Sequence, residues 1–142
     1  MKILIIDGQG GRIGRMLVEQ LKKTDPTLPL IVIGTNSIAT ATMLKAGADE
    51  GATGENPVIY NSADADIIIG PIGIITANSL LGEITPAMSV AISSSRARKI
   101  LIPINKCNCI IVGVQNMTLS EYINLAAENA YVFSREKSVG KT

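Results

Sequence analysis

The sequence predicts an α/β fold built on a mostly parallel sheet, and three observations predict it. Apolar runs of strand length alternate along the chain with segments of helical spacing. The runs are continuous and rich in Ile, as strands buried on both faces must be. A glycine-rich stretch, Gly8 to Gly14, joins the first run to the first helical segment.

Each element has its own justification. Lys2 to Ile6 reads as the first strand, apolar after the lysine. Arg12 to Lys23 follows as a helix, with Ile13, Met16, Leu17, Gln20 and Leu21 on one face and Arg15, Glu19, Lys22 and Lys23 on the other. Asp25-Pro26 ends it, because the residue before a proline is driven out of the helical region. Leu30 to Ile33 is the second strand, stopped by Gly34-Thr35-Asn36-Ser37; Ile38 to Lys45 has helical spacing, and Gly47 suits a helix C-terminus. Over residues 48–62, Gly51, Gly54 and Pro57 predict irregular structure, with at most a short strand at Val58 to Tyr60. Ala65 to Ile69 is a buried strand closed by Gly70-Pro71-Ile72-Gly73. Thr85-Pro86 reads as an N-cap with proline at the first helical position, opening a helix to about Ser94.

Lys99 to Ile104 and Cys109 to Val114 read as two further strands. The four residues between them, Asn105 to Asn108, suit a hairpin and not a crossover, so one edge of the sheet is expected to be antiparallel. Thr118 and Glu121 match a capping box, which predicts a last helix to about Phe133 and a polar tail from Ser134 to Thr142. The expected organisation is one domain over residues 1–133 and a tail over 134–142.

Composition narrows the function classes. The chain has 142 residues, 46% of them hydrophobic and 18% charged, which is room for one core and not for a nucleotide-binding domain with a separate substrate domain. With 13 Lys+Arg against 12 Asp+Glu and only 3% aromatics, neither a basic nucleic-acid surface nor base-stacking platforms are expected. The absence of His removes histidine bases, histidine triads and His-ligated zinc. The stretch Ile3 to Ile6 is too short for a signal-peptide core, and Ile67 to Ile75 is broken by Gly70, Pro71 and Gly73, so a soluble cytoplasmic protein with no membrane segment is expected. Cys107 and Cys109 stand too close for a structural disulfide, and a metal site would need two ligands more, so both read as packing.

The most informative stretch is Ile6-Asp7-Gly8-Gln9-Gly10-Gly11-Arg12-Ile13-Gly14, between a strand and an amphipathic helix. Glycines permit close backbone approach, and the free N–H groups at the helix start attract an anion such as phosphate. The expected binding residues are Gly8, Gln9, Gly10, Gly11, Arg12, Ile13 and Gly14. Thr35 and Asn36 at the exit of the second strand join them, as do Gly70, Pro71, Ile72 and Gly73, which the switch-point rule of doubly wound sheets sets opposite the Gly8 loop. Thr53, Glu55, Asn56, Thr76, Asn78 and Asn105 extend a polar rim. The glycine spacing is not the strict dinucleotide pattern and no acid stands at the second strand's exit, which disfavours NAD and leaves NADP or another nucleotide. Asp7 beside a phosphate would be repulsive unless neutralised, and it could hold Mg²⁺ through water. Asp7, Glu55 and Glu83 are the acids placed to act as base or cation ligand. Ser93-Ser94-Ser95-Arg96, with Arg98 and Lys99, lies at the opposite end of the sheet, where its cations complement a helix C-terminus.

The residues also carry resemblances. The I-D-G-Q-G-G-x-I-G start, the G-T-N and A-T-G-E-N segments, G-P-I-G-I, S-S-S-R-A and K-I-L-I-P make the chain similar over its whole length to short bacterial proteins known only as a domain of unknown function. Gly8 to Leu17 resembles the nucleotide loop of dihydrodipicolinate reductase, whose catalytic His and Lys segment has no counterpart here. Ala65 to Asn105 is loosely similar to the gluconeogenesis-factor and phospholactate-transferase superfamily, which implies a second ligand-facing loop at Gly70 to Thr76; Ile72 stands where that pattern has glycine.

The expectation is therefore a Rossmann-like three-layer sandwich that binds a nucleotide or other phosphorylated small molecule as a binding or sensor module. The alternative is a small NAD(P)-dependent reductase or phosphoryl-group enzyme completed by a partner subunit; a scaffold would leave the glycine loop as packing. The Ala- and Met-rich helix from Ile38 reads as core or dimer face, and a homodimer is expected from the apolar content of so short a chain.

Overall fold

A computed structural model describes residues 1–104 and 108–140. Among these, five strands and five α-helices alternate: β1 (Ile3–Asp7), α1 (Arg12–Thr24), β2 (Leu30–Gly34), α2 (Ser37–Lys45), β3 (Glu50–Thr53), α3 (Glu55–Ser62), β4 (Ile67–Pro71), a 3₁₀ turn (Ile72–Ile75), α4 (Pro86–Ser94), β5 (Arg98–Ile102) and α5 (Leu119–Val139). The strands form one sheet in the order β3-β2-β1-β4-β5, every pair parallel. The order reverses between β1 and β4.

Strand geometry turns successive side chains to opposite faces, and the Ile-rich strands fill both. Ile3 and Ile5 of β1 pack with Ile13, Leu17 and Leu21 of α1 and with Ile123, Ala127 and Ala130 of α5. Leu4 and Ile6 pack on the other side with Val58 of α3 and Met88 and Ile92 of α4. The result is a three-layer sandwich of the Rossmann-like kind.

Ion pairs and backbone bonds tie down the N-terminal ends of the strands, away from the expected crevice. Asp66 accepts the Lys2 N–H at 2.7 Å and pairs with Lys137 of α5. Asp49 accepts the Leu30 N–H and the Lys22 ammonium, both at 2.8 Å. Lys99 bonds the Ser93 and Ser95 carbonyls where α4 ends, as the helix-dipole argument anticipates.

The structure corrects the sequence reading at three places. Residues 48–62 hold a strand and a helix. β3 is an exposed edge strand without an apolar run to betray it, and Val58 to Tyr60 is the middle of α3. Pro57 sits in the first turn of that helix, where the missing N–H has no intrahelical acceptor anyway. The expected antiparallel hairpin is not seen. β5 pairs with β4 in parallel, and residues 108–114 form no strand; Gly113 stands in a turn at φ +88°, and Ile110 and Val112 are 91% and 94% exposed. Residues 105–107, including Asn105 and Cys107, lie outside the described residues; Cys109 is exposed, where a buried position was expected. The segment read as a polar tail continues α5 to Val139, since Ser134 prolongs the buried stripe of Ile123, Ala127 and Ala130. Among the described residues, no helix is long and apolar enough to cross a membrane.

Candidate functional site

β1 delivers Asp7 to the start of the glycine loop, where its side chain turns inward and is 4% exposed. Its Oδ1 accepts the Gly8 N–H at 2.8 Å and its Oδ2 the Gly14 N–H at 2.7 Å. Gly11, the N-cap of α1 at φ +74°, has no side chain to offer, so Asp7 caps the helix from below. Burial pushes the Asp7 carboxyl above its ordinary value of 3.8, against the pull of the Gly14, Gly8 and Ile13 N–H groups; the charge of Glu83 adds to the rise. Both oxygens face N–H donors, so Asp7 as it stands does not suit a cation.

The loop's other donors divide between the chain and the solvent. The Gly11 N–H bonds the Gly8 carbonyl at 2.9 Å, and the Gln9 N–H reaches Glu83 Oε1 at 3.0 Å. Among the described residues, the N–H groups of Gly10 and Arg12 have no acceptor within the chain. Both residues line a cavity of about 240 Å³ floored by residues 7–13 and walled by Leu80, Ile104 and Leu119. The cavity stands over the C-terminal end of β1, on the side of β4, β5 and the start of α5. The Arg12 side chain lines it and is exposed.

Several expected site residues come together here. Thr35 and Asn36, at the exit of β2, bond Glu83 Oε1 at 2.7 Å each, and Asn36 also bonds the Gln9 carbonyl at 2.9 Å. Asn36 Oδ1 caps α2 through the Ala39 N–H, which fixes the direction of its amide. Burial works against the Glu83 carboxylate, yet the bonds from Thr35, Gln9 and Asn36 outweigh it and hold its pKa below the ordinary range.

Others lie apart. Gly70 and Pro71 finish β4 and Ile72 and Gly73 begin the 3₁₀ turn, beside the end of β1 but outside the cavity wall; Leu80 takes the place expected of them. Glu55 bonds Thr85 at the start of α4, and Thr53 bonds Thr40. Leu80, Ile104 and Leu119 escaped the sequence reading. For Leu119 a signal existed, since the Thr118 cap marks a helix start and helix starts follow strand exits.

The model of a family described as a domain of unknown function (DUF3842) matches residues 2–133. The chain belongs to that family. No curated protein and no solved structure matches it. The matched span contains the Gly8 loop, the β2 exit, Glu83 and the start of α5, so the whole cavity is built from the family's own domain.

Proposed function

We propose that the chain is a binding or sensor module taking a nucleotide or another phosphorylated small molecule in the cavity over Gly8 to Arg12. One observation carries the reading. Gly10 and Arg12, whose N–H groups have no acceptor among the described residues, line the crevice where the strand order of a parallel sheet reverses. N–H donors at a helix start and a guanidinium together recognise an anionic oxygen. Asp7 opposes this attraction, and the Gly8 and Gly14 N–H groups that its two oxygens accept and the neighbouring arginines, Arg12 and Arg15, temper the opposition.

A volume near 240 Å³ is small for a dinucleotide and favours a mononucleotide fragment or sugar phosphate over NADP. With Glu83 seated on Thr35 and Asn36, the polar side chains at the β2 exit are already engaged. Any Mg²⁺ would arrive with the ligand's phosphates, because the Asp7 oxygens are engaged. The same engagement argues against an enzyme using Asp7 as base. A homodimer remains part of the proposal, with Ile38 of α2 exposed for contact; light scattering on the purified chain decides it.

The test is calorimetry and thermal shift against ADP, inorganic pyrophosphate, a sugar phosphate and NADP, with and without Mg²⁺. Binding of at least one, weakened about tenfold in Arg12→Ala, is the expected result. Indifference to all of them removes the proposal.

A further inference from the structure

The segment between the 3₁₀ turn and α4 folds back over the ends of β1 and β2 and carries Glu83 there. A single oxygen, Oε1, accepts from the Gln9 N–H at 3.0 Å, the Thr35 hydroxyl at 2.7 Å and the Asn36 amide at 2.7 Å. Three convergent donors are what an anionic oxygen of a ligand would seek, and a carboxylate of the chain already holds them.

Two features show how closely this contact is built. A Cβ at Gly8 would stand 2.6 Å from Thr35 Oγ1, 2.8 Å from Leu80 Cδ1 and 3.3 Å from Glu83 Oε1, so the loop and the returning segment meet only because residue 8 has no side chain. The returning segment is also unrelaxed. Asn78, Leu80 and Leu81 hold φ of 64°, 55° and 56°, a region that residues with a side chain occupy at a cost, and Leu81 is 97% exposed. Leu80, buried against Gly8, and Glu83 hold the strained backbone in place.

We propose that Glu83 is a built-in competitor for the crevice: its carboxylate occupies the Gln9, Thr35 and Asn36 donors, and the anionic group of the bound ligand displaces it. The inference rests on the phosphate reading above and adds its regulation. A phosphate, with more charge and more acceptor oxygens than a carboxylate, wins the exchange where a simple carboxylic acid does not. Displacement frees residues 76–84 from the Gly8 loop and lets the left-handed positions relax, so occupancy of the cavity becomes a movement on its rim, which is what a sensor needs.

The experiment uses the full chain with Glu83→Ala and Glu83→Gln, and Arg12→Ala as control. Calorimetry measures inorganic pyrophosphate and ADP binding, and amide hydrogen exchange follows residues 76–84 with and without pyrophosphate. Glu83→Ala should bind pyrophosphate about tenfold more tightly than the wild type, the size expected for freeing donors from a charged acceptor. The isosteric Glu83→Gln should fall between them. Exchange over 76–84 should quicken in Glu83→Ala without ligand, and in the wild type on adding pyrophosphate. If the wild type binds and Arg12→Ala binds more weakly, while Glu83→Ala binds no tighter or the ligand slows exchange over 76–84, the competitor is refuted and the phosphate reading stands. If neither the wild type nor either Glu83 variant binds any probe, both are refuted.

Discussion

Asp7 Oδ2 accepts the Gly14 N–H at 2.7 Å, so a residue seven positions upstream caps a helix whose own N-cap has no side chain. Removing the carboxylate leaves the Gly8 and Gly14 N–H groups buried without an acceptor. Asp7→Ala should cost about 2–4 kcal/mol, a lost cap plus an unsatisfied buried donor. Asp7→Asn should cost about 1–2 kcal/mol, because one acceptor becomes an NH₂ facing an N–H. Urea unfolding checks both; an Asp7→Ala as stable as the wild type would refute the capping role.

The same residue fixes the sign of a pH effect. Burial raises the Asp7 pKa above 3.8 in the folded state, so over the interval up to that raised value the fold binds the proton more tightly than the unfolded chain. Asp7's contribution is most favourable below 3.8 and is lost as pH rises through the folded pKa. Glu83 is opposite: its lowered pKa gives stability present above the ordinary carboxylate value and lost as pH falls through the folded one. Unfolding measured at neutral pH and below the carboxylate range should show the wild type gaining on Asp7→Asn as pH falls and losing ground to Glu83→Gln.

What the sequence disclosed depended on whether burial left a local pattern. β1, β2 and β4 are covered on both faces, and their Ile runs show it. The Gly8 loop and its helix were legible because glycines and a 3.6-residue period adjoin. Glu50 to Thr53 was not, since an exposed edge strand needs no apolar residues. Cys109 to Val114 misled for the converse reason: the apolar content of a strand is there, but Gly113 turns the chain. Glu83 was noted only as an acid near a strand exit. Its bonds to Gln9 and Thr35 span 74 and 48 positions, and no local spacing encodes a contact made by folding.

Two glycines separate tolerable crowding from backbone collision. A Cβ at Gly70 would lie 2.3 Å from the Ile6 carbonyl oxygen, a main-chain atom fixed in the adjacent strand. A Cβ at Gly14 would lie 2.2 Å from Met43 Sδ, the end of a flexible side chain. Gly70→Ala should therefore cost about 3 kcal/mol or more, since β1 and β4 must part. Gly14→Ala should cost about 1–2 kcal/mol, the repacking offset in part by alanine's helix preference. Denaturant midpoints giving the reverse order would contradict the account.

Arg12 distinguishes a binding role from a structural one. It opens α1 with its side chain exposed beside the unclaimed N–H groups. An exposed side chain away from the core contributes little to folding, so Arg12→Ala should leave stability within about 0.5 kcal/mol. Pyrophosphate binding should weaken about tenfold, the share of a charge-assisted contact. Arg12→Lys keeps the charge but not the planar pair of donors and should recover only part of the loss. Because the attraction is partly electrostatic, the gap between wild type and Arg12→Ala should narrow as salt is added. A substitution that lowers stability and binding together would instead make Arg12 part of the scaffold.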